Sequence, residues 1–230
     1  MKIVVSKILA IFFYFCAAAI LVLYLTVEFK PELKIANYRV IFAVMSCFLS
    51  FVASRFLAYN GSENFRISVM RNNTFFMLFV YLFLLINLTL VDPIYRRNPV
   101  DIFDWSYRSY IDQSLNLIPF KTIKIFFNGW RNGLVSTHDA YINLLGNVFA
   151  FSPFAFFLPL ISKKKTNIFK FTATIFLIVT AIEISQFILR TGYCDIDDLI
   201  LNSIGAVLLY LILHTDFFRR RITGWMLLEY

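Results

Sequence analysis

Six apolar runs, each close to the length that crosses a bilayer, leave this chain few ways to fold. They cover roughly residues 8–27, 40–53, 75–91, 142–161, 169–189 and 199–213. About 20 residues of helix, rising 1.5 Å each, span a hydrocarbon layer of about 30 Å. Inside that layer no water satisfies the peptide groups, so each run is expected to be helical despite many Phe, Ile and Val residues that favour strands elsewhere. The expected fold is all-α, a polytopic bundle of about six transmembrane helices. Composition removes the soluble alternative: 60% of the 230 residues are hydrophobic, 16% are charged and 28 are Phe. A water-soluble domain could not hide that much apolar surface.

The first run follows Lys2 and Lys7. It is too long for a signal peptide and lacks a small-residue cleavage site, so it is read as a retained span. Cys16, Cys47 and Cys194 have no paired spacing, which argues against a disulfide framework or a thiolate metal site. The organisation expected is three spans over 1–91, a loop over 92–141, a three-span core over 142–214 and a basic tail over 215–230.

Two basic clusters, Lys163-Lys164-Lys165 and Arg219-Arg220-Arg221, are separated by two spans and so face the same side, the cytoplasm by the positive-inside rule. Both termini are then cytoplasmic, as is a loop carrying Arg55, Arg66 and Arg71. The exterior receives 28–39, 92–141 and 190–198. The net charge of +8 suits anionic lipid and gives no sign of a nucleic-acid partner.

Within the long exterior loop, Lys121, Lys124, Asn128 and Arg131 recur at helical spacing on one face, with Ile123, Phe126, Phe127, Trp130 and Leu134 on another. This is the pattern of an amphipathic helix lying at the headgroup level. Lys121, Lys124 and Arg131 are its candidate headgroup contacts; packing over the bundle ends is the plainer alternative.

Glu183 lies inside the fifth run, where an ionised carboxylate costs on the order of 3 kcal/mol on insertion scales and needs a partner, a proton or a wet cavity. Glu183, Gln186 and Arg190 follow one another at i, i+3 and i+7, which would put them on one face. Asn143 and Asn147 take the outer turns of the fourth run, Asp198 and Asn202 those of the sixth. Counting 1.5 Å per residue, Glu183 and Asn147 sit roughly 9 Å below the outer surface and Asn202 roughly 5 Å. Asp195 and Asp197 lie directly above. Three helices thus bring polar groups to one depth, either as a ligand cavity or as interhelical hydrogen bonds with a Glu183–Arg190 pair. Asp195, Asp198 and Glu183 could also hold Mg²⁺ or Ca²⁺, although no dedicated metal spacing is present. No nucleophile triad, phosphate loop or Cys/His cluster occurs.

The stretches NLIPFKTI (116–123), NLLGNVFAFSPFAFFLPL (143–160), IEISQ (182–186) and RTGYCDIDDLILNSIGA (190–206) together resemble the VanZ-like family of bacterial membrane proteins, across roughly 116–213. Arg190, Asp195, Asp197, Asp198, Asn202 and Gly205 match the family's terminal motif, and Glu183 and Gln186 its glutamate-rich span. Ala155 stands where many members have glycine. The resemblance implies a bacterial cell-membrane protein, most often Gram-positive, linked to reduced susceptibility to teicoplanin-type glycopeptides and lipoglycopeptides. It supplies no mechanism. The expectation is a non-enzymatic envelope protein that binds a lipid or lipid-phosphate headgroup in an outer-leaflet cavity. The alternatives are an enzyme modifying a lipid-linked precursor and a lipid or proton carrier.

Overall fold

The structure is a computed structural model that describes residues 2–28, 38–91, 107–162 and 167–228. The Lys163–Lys165 cluster, most of the 28–39 loop and residues 92–106 of the long segment lie outside the described residues. Among the described residues six helices are long and apolar enough to cross a membrane: Ile3–Val27, Tyr38–Leu57, Glu63–Val91, Ala140–Ile161, Ile168–Ile188 and Ile196–Leu213. The chain is an all-α polytopic bundle. Its helix surfaces are apolar outward, with Phe15, Leu177 and Ile188 all well exposed, as lipid-facing side chains are.

The chain divides into two compact units, residues 1–84 with 216–230, and residues 85–215. In the first, α1 (Lys2–Glu28) and α2 (Tyr38–Leu57) form an antiparallel pair. Ala10, Ala17, Ala43, Ser46, Ser50, Ala53 and Ser54 are all buried, and small residues let two membrane helices approach closely where no hydrophobic driving force exists. Hydroxyls bind across the seam: Ser46 Oγ donates to the Ala17 carbonyl at 3.1 Å, Ser6 Oγ to the Phe56 carbonyl at 2.5 Å. Tyr24, Tyr38, Phe42 and Phe83 close one end as an aromatic cluster. Helix α3 (Glu63–Ile86) begins earlier than hydropathy predicts, so Arg66 and Arg71 lie on helix rather than in a loop. Its polar first turns extend the rod beyond the apolar run.

The second unit begins where α3 loosens into a π turn, Asn87–Val91. After α4 (Tyr107–Ser114) comes β1 (Leu115–Asn116), then α5 (Lys121–Arg131), α6 (Thr137–Ala150), α7 (Phe154–Ile161), α8 (Ile168–Ile188), β2 (Cys194–Asp195) and α9 (Ile196–Leu213). The fourth span is therefore broken, α6 from α7, at Phe151-Ser152-Pro153, where a continuous helix was expected. Pro153 has no N–H to continue the ladder and disfavours helix in the residue before it. Helices α6 and α9 pack backbone to backbone: a Cβ on Gly205 would run into the Val148 carbonyl. Strands β1 and β2 pair in parallel, Leu115 with Cys194 and Asn116 with Asp195. That tie brings the segment before α5 to the start of α9. The last helix, α10 (Asp216–Met226), belongs to the first unit.

Candidate functional site: a carboxylate cluster at one end of three spans

Helix α9 starts, α8 ends and α6 starts at one end of the second unit, so their terminal polar residues meet there. Asp195 is the N-cap of α9. Its Oδ1 accepts the Asp197 amide at 2.8 Å, satisfying one of the orphan donors of a helix start. Asn116 Nδ2 donates to the same oxygen at 2.9 Å, and Thr122 Oγ1 donates to Oδ2 at 2.5 Å. The amide of Asp195 in turn donates to Glu183 Oε2 at 3.1 Å.

Asp197 is fully buried and acts on a different helix. Its carboxylate accepts the amides of Phe120 at 2.5 Å, Thr122 at 2.7 Å and Ile123 at 3.1 Å. A carboxylate thus sits on the N-terminus of α5, where the helix dipole favours negative charge. Phe120, the residue before that helix, holds φ 63°, a left-handed conformation costly for a side chain with a Cβ. The Asp197 bond to its amide holds it there.

Asp198 accepts from Asn147 Nδ2, and its backbone carbonyl accepts from Asn202 Nδ2 at 2.7 Å. Asn202 is buried, and its Oδ1 has no hydrogen-bond partner among the described residues. Asp198 and Glu183 each accept a donor from the protein, the Asn147 amide group and the Asp195 backbone amide. Asn143 lies one turn before Asn147 on α6. The cluster therefore gathers Glu183, Asp195, Asp198, Asn147 and Asn202, with Asp197 turned to clamp α5.

Gln186 and Arg190 turn elsewhere. Helix α8 stops at Ile188, and Arg190 takes φ 52° in the turn that follows, so the seven-residue spacing no longer puts it on the Glu183 face. Its guanidinium lies 5.0 Å over the Tyr110 ring, and Tyr110 Oη donates to the Phe187 carbonyl at 2.7 Å. Burial pushes the Tyr110 hydroxyl above the usual tyrosine range, partly offset by Arg190. Gln186 Nε2 donates to the Thr89 carbonyl at 2.9 Å, in the π turn whose irregular ladder leaves carbonyls available. The Cys194 thiol is pushed up by burial and by Glu183 and Asp195, which keeps it protonated and unreactive.

Lys121, Lys124 and Arg131 are exposed on α5. The apolar set of this helix divides: Ile123 and Phe126 turn partly inward with buried Gly129, whereas Ile125, Phe127, Trp130 and Leu134 are exposed, as are Leu117, Ile118 and Phe120 ahead of it. Basic and apolar side chains exposed together suit a headgroup layer better than bulk water. Trp130 Nε1 donates to Thr137 Oγ1 at 3.2 Å.

Among the described residues no group of three His, Cys, Asp or Glu is arranged to hold a metal ion. The two oxygens of Asp195 take three protein donors. Sequence reading missed Asn116, Thr122 and Tyr110 as partners. The motif stretch 116–123 stands out in the sequence, but nothing in it tells which partners Asn116 and Thr122 take.

A family model described as VanZ/LLP1 matches residues 78–219, more than half of the chain. The chain belongs to the VanZ-like family. The whole carboxylate cluster and the α5 helix of this VanZ-like protein fall within the matched region, and its six apolar helices make it a multi-pass membrane protein. No curated protein and no solved structure matches it.

Proposed function

We propose that this VanZ-like protein binds a lipid or lipid-linked precursor headgroup of the bacterial cell envelope without turning it over, and so lowers susceptibility to teicoplanin-type lipoglycopeptides. The observation that carries this reading is the surplus of acceptors in the cluster. The carboxylates of Glu183 and Asp198, both largely withdrawn from solvent, and the Oδ1 of Asn202, which has no partner among the described residues, suit a ligand that brings donors, hydroxyl or amine. A phosphate on the same ligand would meet Lys121, Lys124 and Arg131 on α5, while the exposed Phe127, Trp130 and Leu134 seat that helix in the headgroup layer.

Orientation follows from the basic residues near the termini: both termini cytoplasmic, the cluster in the outer leaflet. A cysteine at Asn132 is expected to react with an impermeant maleimide on intact cells, and one at Asn60 only after lysis. The reverse pattern inverts the topology.

Expression in a susceptible Gram-positive host is expected to raise the inhibitory concentration of teicoplanin more than that of vancomycin, because the former also engages the membrane through an acyl chain. Equal increases would point to altered peptide precursors instead. A second reading, an enzyme using Glu183 as general base, rests on the burial of this carboxylate within a span and predicts a changed lipid product when extracted envelope lipids are incubated with the protein.

A further inference from the structure

Helix α10 lies outside the cluster and carries a second pattern. Ile222 and Met226, one turn apart, are buried with Leu228, and they hold one face of the helix against its own unit. Arg55, in the last turn of α2, donates to the Trp225 carbonyl at 3.0 Å. The C-terminal end of α10 is thereby fixed at the end of a membrane span, which is the border of the bilayer. The rest of its surface is basic and aromatic: Arg219, Arg220 and Arg221 are exposed, as are Phe217 at 57% and Trp225 at 61%.

These residues are poorly matched to water and to hydrocarbon alike. Arg221 lies 4.0 Å over the Phe217 ring, so a cation and an aromatic face travel together into whatever covers them. Arg219 pairs with Asp216 at 3.1 Å, but both side chains are largely exposed, and such a pair contributes little. Arg220 projects opposite the buried Ile222 and Met226. Three arginines against one aspartate leave the helix net positive, with guanidinium groups that donate and never accept.

We propose that α10 is a docking surface for anionic lipid headgroups, with Arg219, Arg220 and Arg221 on the phosphates and Phe217 and Trp225 seated between the lipids. Anionic lipid is favoured over zwitterionic because a choline or ethanolamine cation beside three arginines would be repelled, whereas each basic residue near an anionic surface adds attraction.

The test is local to α10. The full chain is placed in nanodiscs of phosphatidylcholine alone and of phosphatidylcholine with phosphatidylglycerol, and amide hydrogen exchange of residues 216–226 is compared. Exchange is expected to slow by about 100-fold with phosphatidylglycerol, since each of the three arginines contributes about fivefold. The combined variant Arg219→Gln, Arg220→Gln, Arg221→Gln should lose that difference, and the corresponding Arg→Lys variant should keep it. Equal exchange in the two lipids, or an undiminished difference in the Gln variant, overturns the proposal. Should the triple variant fail to insert, Arg220→Gln alone serves. It is expected to reduce the difference by about fivefold, and an unchanged difference overturns the proposal equally.

Discussion

Replacing Asp197 by alanine is expected to leave little folded protein in the membrane. The carboxylate takes three backbone amides of the α5 start at a position with no solvent exposure, so its removal strands donors that water cannot reach. Each stranded group costs about 1–3 kcal/mol, which places the total at about 3 kcal/mol or more. The left-handed Phe120 loses its anchor in the same step. Asp197→Asn should be milder but still damaging, because one of its two terminal atoms becomes a donor facing donors. Protein level in membranes and thermal stability in detergent give the measurement. A wild-type level of Asp197→Ala would mean that the clamp contributes nothing to folding.

Gly205→Val is expected to be comparably severe for a different reason. A Cβ at this position would overlap the main chain at Val148, so α6 and α9 must move apart rather than merely turn a side chain. The cost belongs at the upper end of overpacking, about 3 kcal/mol or more. Separating these helices also pulls Asn147 away from Asp198. Gly146→Ala is the control, since a Cβ there meets nothing within 4 Å. It should be neutral or slightly stabilising through helix propensity. Equal stability of the Gly205→Val and Gly146→Ala proteins would contradict the close packing.

The six helices were legible because the bilayer imposes a length and a backbone rule that hydropathy reports directly. Their ends were less so. Arg66 and Arg71 extend α3 past its apolar run, and hydropathy does not see the break at Pro153 because Phe151 and Phe154 are as apolar as their neighbours. The depth read for Glu183, Asn147 and Asn202 rests on a simple rule: helical rise is constant, so distance along the chain converts to depth. Arg190 escaped this arithmetic because α8 ends at Ile188 without a glycine after it, and no residue announces the left-handed turn. The clamp of Asp197 on Phe120, Thr122 and Ile123 joins residues more than 70 positions apart, and nothing local in either segment reveals it. That clamp also changes the roles within the cluster. Asp195 and Asp197 are committed to protein donors and hold the cluster together, so the proposed ligand contacts fall to Glu183, Asp198 and Asn202.

In the proposed function these acceptors hold a lipid headgroup. Native mass spectrometry of the protein purified from its host membrane tests it most directly. The account predicts that a lipid with a hydroxyl- or amine-bearing headgroup stays bound to the wild-type protein. In Glu183→Gln and Asp198→Asn proteins of normal abundance its retention should fall by about tenfold, the effect of one lost charge-assisted hydrogen bond. The same lipid, at the same occupancy, on all three proteins would contradict it.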